Sequence, residues 1–165
     1  MDTIRVGMVG AGWIAQEHRR VLGSMADAEL AAVCDIDPER AGSLAAGTGA
    51  RIYSDWRDLL DREDLGALIV CTPPRSHRDP AVAALSRGLP VYLEKPIART
   101  LEDAADIVTA AATTGTVCAV GYQWHALDLL DELPGLLAGQ QVGLLVGTNI
   151  GPTQSRPVPD RRTTR

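Results

Sequence analysis

Ile4-Arg-Val-Gly-Met-Val-Gly-Ala-Gly-Trp-Ile-Ala-Gln-Glu17 reads as a short apolar strand, a glycine turn and the opening of a helix. The turn, Gly10-Ala-Gly-Trp-Ile-Ala15, has the G-x-G-x-x-A form of a dinucleotide-binding fingerprint. Each small residue answers a steric demand. Gly10 permits the tight turn, Gly12 lets backbone approach a pyrophosphate, and Ala15 lets the helix lie close on the strand. The amides of Trp13 and Ile14 then fall at a helix N-terminus, where free N–H groups and the macrodipole favour an anion.

Working outward, Glu29–Cys34 reads as a second strand. Asp35 follows it, about 20 residues past the turn, as the fingerprint requires. A carboxylate there accepts both adenosine ribose hydroxyls and repels a 2′-phosphate, against the plainer use of a strand-end turn residue. No arginine follows at once, since Arg40 lies a turn into the next helix. These features favour NAD over NADP. Asp37, with Pro38 behind it, has the pattern of a helix N-cap.

Strands and helices alternate along most of the chain, which predicts a doubly wound parallel α/β sheet of the Rossmann type. Strands are expected at Ile4–Val9, Glu29–Cys34, Arg51–Tyr53, Ala67–Cys71, Pro90–Glu94 and Val117–Tyr122. The helices between them are Trp13–Leu22, Pro38–Ala46, Asp55–Leu60, Asp79–Arg87 and a capped helix opening at Thr100 and stopped by Gly115. The crevice of such a sheet lies between the first and fourth strands.

At 165 residues, 45% hydrophobic and without Phe, the chain has the size and composition of a single globular domain with an aliphatic core. A net charge of −5 leaves no basic footprint for nucleic acid or an anionic membrane. No 18-residue apolar run and no signal-peptide pattern is present, so a cytoplasmic location is expected. Cys34, Cys71 and Cys118 lack metal-like spacing. Cys34 and Cys71 should end strands on either side of the first, about 9.6 Å apart, beyond disulfide reach, and buried thiols are expected. No metal is expected.

Sixteen basic residues comprise fifteen arginines and one lysine, Lys95, within Glu94-Lys95-Pro96. A lone ammonium where the fifth strand meets the carboxyl edge suits compact donation or proton exchange, which a guanidinium cannot supply. Across the crevice, Thr72, Pro73 and the following proline stiffen a loop that runs over a bound dinucleotide. His77, where the next helix begins, serves either the cofactor ribose or that helix as a cap. Glu94 serves local backbone or ribose, and Gln123 reaches the nicotinamide or a substrate. Trp124 and His125 read as packing and capping residues, and His18 as a surface residue of the first helix.

Together, Gly10–Ala15, Cys34-Asp35, Thr72-Pro-Pro74 with His77, Glu94-Lys-Pro96 and Gly121-Tyr-Gln123 resemble the Gfo/Idh/MocA oxidoreductases, in order and spacing, over residues 4 to about 125. The resemblance implies hydride transfer between a nicotinamide cofactor and a sugar or cyclitol carbinol. Lys95 would match the family lysine near the nicotinamide and substrate hydroxyl, which assists proton transfer. It also implies a second α/β domain with an open, mostly antiparallel sheet, which completes the active site.

The expected organisation is therefore a dinucleotide-binding domain over residues 1–124, the start of a second domain over 125–150, and a disordered tail over 151–165. The second part comprises an amphipathic helix, Ala126–Ala138, and a strand, Val142–Ile150. With no later strand to pair with, that strand is expected to drive self-association, and the chain alone to be catalytically incomplete. Two other readings use the same turn: a non-catalytic NAD-binding or regulatory module, and a methyltransferase holding S-adenosylmethionine. Glu94-Lys-Pro96 argues against the latter.

Overall fold

The computed structural model describes residues 3–122 and positions 135, 138 and 139. Gln123, Trp124, His125, the strand Val142–Ile150 and the tail lie outside the described residues, as does nearly all of the expected helix Ala126–Ala138. The chain divides into two compact units, and the first, Met1–His125, contains the whole sheet.

The strands are β1 (Ile4–Val9), β2 (Ala28–Cys34), β3 (Arg51–Tyr53), β4 (Ala67–Val70), β5 (Val91–Leu93) and β6 (Cys118–Val120). All pair in parallel, in the order β3-β2-β1-β4-β5-β6. The order reverses at β1 and β4, where a doubly wound sheet opens its binding crevice. Between the strands run α1 (Trp13–Leu22), α2 (Pro38–Ala45), α3 (Trp56–Arg62), α4 (Arg78–Ser86) and α5 (Leu101–Thr114), with one 3-10 turn at Pro74–Ser76. None of the described helices is long and apolar enough to cross a membrane.

Alternate residues of the central strands feed two cores, as period-two geometry requires. Val6 and Met8 join Leu30, Val33, Ala15 and Leu44 beneath α1 and α2. Val9 joins Leu68, Val70, Leu59, Leu85 and Ile107 beneath α3, α4 and α5. Local signals set the helix ends. The Asp37 carboxylate accepts from the amides of Glu39 and Arg40, with Pro38 in the first turn. The Thr100 hydroxyl accepts from Asp103 N, and Gly115 closes α5 at φ +66°.

Most expected boundaries move by one or two residues. Asp55, expected inside α3, is its cap and accepts from Arg57 N at 2.8 Å. Cys71 falls just past β4, although its N–H still reaches Val9 O at 2.7 Å. The three cysteines are free. Burial pushes the Cys34 thiol up to about 12, helped by the nearby Asp55 and Asp35 carboxylates. It raises Cys71 too, with Glu94 adding to the effect, so neither thiol is nucleophilic at neutral pH.

Candidate dinucleotide site

Gly10 leaves β1 at φ +95°, a conformation that L side chains resist. A Cβ there would also lie 2.7 Å from the Cys71 carbonyl carbon and the Thr72 nitrogen. Position 10 is therefore fixed by the fold. Gly12 differs: its φ of −76° and ψ of −173° suit any residue, and a Cβ there would meet no protein atom within 4 Å. Neither backbone nor packing requires glycine at 12. Glycine at 12 leaves that space open to something outside the protein.

That open space adjoins the start of α1. Gly12 is its N-cap, no side chain caps it, and no acidic residue stands in its first turn. The leading N–H groups and the positive end of the dipole are thus available to an anion. Ala15 behind them is fully buried, which lets α1 sit close to the sheet. The residues present fit a pyrophosphate.

Asp35 stands beside the turn. Its Oδ2 accepts from Ala11 N at 2.6 Å and its Oδ1 from Asp37 N at 2.9 Å. The carboxylate therefore ties the end of β2 to the glycine turn. A carboxylate has about four acceptor sites, so two remain. Arg40 pairs with Asp37 at 3.0 Å and so is already partnered. Ile36 is 92% exposed at this edge, an apolar surface that sequence reading passed over.

On the other lip, Thr72 and Pro73 lead into the 3-10 turn, and the Thr72 hydroxyl donates to Ser76 O at 3.1 Å. His77 stands at the N-cap position of α4, but its side chain makes no cap hydrogen bond and is fully buried, which leaves it no exposed surface for a cofactor ribose. Its Nε2 lies 2.7 Å from Thr72 O, and its Nδ1 3.1 Å from Pro96 O and 3.3 Å from Ile97 O. The ring thus stands between backbone carbonyls of the two loops and spaces them. Lys95 is exposed at the end of β5, and the Lys95–Pro96 bond is cis.

His18 is a second correction. It is not a surface residue: its Nε2 lies 2.9 Å from Glu94 Oε1, with the two side chains 21% and 11% exposed. The ring also meets Tyr92 edge-on, with centroids 5.1 Å apart. Glu94 Oε2 accepts from Lys95 N at 3.1 Å, which realises the local-backbone use. Burial raises the Tyr92 hydroxyl above its ordinary range, and Glu94 and Cys71 add to this. Gly121 is small because of this group: a Cβ there would be 2.8 Å from the Tyr92 hydroxyl and 3.3 Å from Glu94 Oε1. A signal for His18 was available. It lies three residues after Ala15 and four before Leu22, both buried, on one helical stripe.

Residues 4–122 match the profile of an oxidoreductase family with an NAD-binding Rossmann fold, Gfo/Idh/MocA. The chain belongs to that family. Among relatives, inositol 2-dehydrogenase 3 of Saccharopolyspora erythraea is 40% identical over 114 residues, which cover 68% of this chain and 34% of that protein. Glucose-6-phosphate 3-dehydrogenase of Bacillus subtilis is 28% identical over 146 residues, 88% of this chain and 41% of that one. Among solved structures, the WlbA dehydrogenase of Chromobacterium violaceum, in complex with NADH and UDP-GlcNAcA, superposes with a TM-score of 0.77 at 32% identity. It covers 84% of this chain and 40% of its own. The chain thus spans about a third of the length of the first of these relatives. Membership of a Gfo/Idh/MocA Rossmann domain decides against the S-adenosylmethionine reading.

Proposed function

We propose that this domain binds NAD(H), in preference to NADP(H), as the cofactor half of a dehydrogenase acting on a sugar or cyclitol carbinol. The observation that carries it is the open space at Gly12 beside the uncapped start of α1, with Asp35 on one side and Lys95 on the same sheet edge. Gly12, Trp13 and Ile14 take the pyrophosphate through backbone N–H groups. Asp35 accepts from the adenosine ribose hydroxyls with the lone pairs that Ala11 and Asp37 leave free. Thr72 and Pro73 border the path of the dinucleotide. Once bound, the nicotinamide supplies hydride acceptance or donation. Lys95 donates to the substrate hydroxyl oxygen and assists its proton, and Gln123 contacts the nicotinamide or substrate.

Relatives are about twice as long, and we assign the cover over the nicotinamide to that further length, in keeping with domains at 1–124 and from 125 onward. The reading carries a cytoplasmic location, where buried free thiols stay reduced. It also includes self-association of the 165-residue chain through the apolar run Val142–Ile150. Light scattering checks this against a fragment ending at Gly121; a monomeric 165-residue chain at high micromolar concentration would dismiss it. The cofactor reading is tested by calorimetric titration with NADH, NADPH and S-adenosylmethionine. One saturable NADH site with weaker NADPH is expected, and tighter S-adenosylmethionine would overturn it.

A further inference from the structure

The fingerprint helix and the lysine loop are joined by a chain of side chains that neither motif requires by itself. His18, one face-turn beyond Ala15 on α1, meets Glu94 Oε1 at 2.9 Å. The other oxygen of the same carboxylate holds Lys95 N at 3.1 Å. Tyr92 braces the imidazole from its edge, and Gly121 leaves the room in which the Tyr92 hydroxyl and Glu94 lie. A carboxylate as buried as Glu94 must keep its partners. Without His18, one oxygen loses its neighbour on α1, and the side chain is driven to rotate toward water. That rotation gives up the Lys95 N–H.

We infer that His18 is a positioning residue for Lys95, acting through Glu94, so that the helix presenting its N-terminus to the pyrophosphate also sets the placement of the lysine. The bridge is a property of the free protein. Its consequence for chemistry rests on the reading of Lys95 given above.

Because Lys95 is the only lysine, labelling with 15N-lysine gives a single backbone amide signal that reports on it. Hydrogen exchange at that amide is compared in the wild type and in His18→Leu, His18→Asn, His18→Gln and Glu94→Ala. Gln reaches about as far as Nε2 and keeps a donor, whereas Asn stops short. His18→Leu, His18→Asn and Glu94→Ala should each speed Lys95 exchange about tenfold or more, the scale of a lost charge-assisted hydrogen bond. His18→Gln should stay near the wild type, and the double variant with Leu at 18 and Ala at 94 should be no faster than Glu94→Ala alone.

Unchanged Lys95 exchange in the Leu and Asn variants would overturn the inference. So would acceleration shared equally by the core amides of β4 and β5, followed in parallel on uniformly 15N-labelled protein, which would mark His18 as merely structural. Addition of NADH then separates the two claims. A wild-type signal that ignores NADH counts against the cofactor reading and leaves the exchange comparison standing.

Discussion

A methyl group on Gly10 would press on the Cys71–Thr72 backbone at 2.7 Å and sit at φ +95°, whereas one on Gly12 would meet no protein atom within 4 Å. The two glycines therefore separate fold from function. Gly10→Ala should cost at least about 2 kcal/mol of stability, from left-handed strain and backbone overlap together. Gly12→Ala should change stability by less than about 1 kcal/mol. Thermal or denaturant melts of both variants check the contrast. Asp35 combines the two roles, since it anchors Ala11 N and Asp37 N and faces the proposed ribose position. Asp35→Ala should remove about ten- to a hundredfold of the preference for NADH over NADPH and also lower the melting temperature. Equal affinity of the wild type for both cofactors would show that the assignment of Asp35 is wrong.

At the scale of elements, the amino-terminal edge of the sheet has its own organiser, Glu63 at the end of α3. Its buried carboxylate takes Arg5 of β1 at 3.1 Å, Arg51 of β3 at 2.7 Å and the Tyr53 hydroxyl. Burial alone would raise its pKa. The Tyr53 hydroxyl and the Arg51 and Arg5 guanidiniums outweigh that and hold it below the ordinary carboxylate range. A depressed folded-state value adds stability that is fully present above the unfolded value of about 4.3 and is lost as pH falls through the folded one. Unfolding of the wild type should accordingly become easier as pH drops below about 4.3. Glu63→Gln should lose roughly 1–3 kcal/mol at neutral pH and show a flatter acid limb. An identical acid limb in the variant would remove Glu63 from this role.

The same scale shows why some of the site was legible and some was not. Strands and helices were readable because apolar periodicity, the caps at Asp37 and Thr100 and the stop at Gly115 agree with one another. The glycine turn and Asp35 were readable because fixed spacing carries their geometry. His77 was misjudged because its partners, Thr72 O and Pro96 O, are backbone atoms brought together only by loop packing. The His18–Glu94 contact spans 76 positions and depends on how α1 is rotated over β5. Helical phase carried a signal for the partial burial of His18, which sequence reading places at the surface, but none for its partner.

For the molecule as a whole, the sheet supplies a shelf for a dinucleotide at the carboxyl edge of β1, β2 and β4. Hydride transfer needs a substrate held at contact distance and shielded from water. The 165-residue chain by itself should therefore bind NADH yet oxidise cyclitols or aldoses with NAD negligibly. Robust turnover abolished by Lys95→Met would overturn that expectation while supporting the lysine. Turnover that survives Lys95→Met would take the lysine out of the site. The central claim, that the open space at Gly12 exists for a dinucleotide, is tested most directly by calorimetric NADH titration of the wild type and Gly12→Ala at matched melting temperature. Saturable one-to-one binding by the wild type, weakened about tenfold or more in the variant, is the expected result. Equal affinity in the two proteins, or no saturable binding by the wild type, would contradict it.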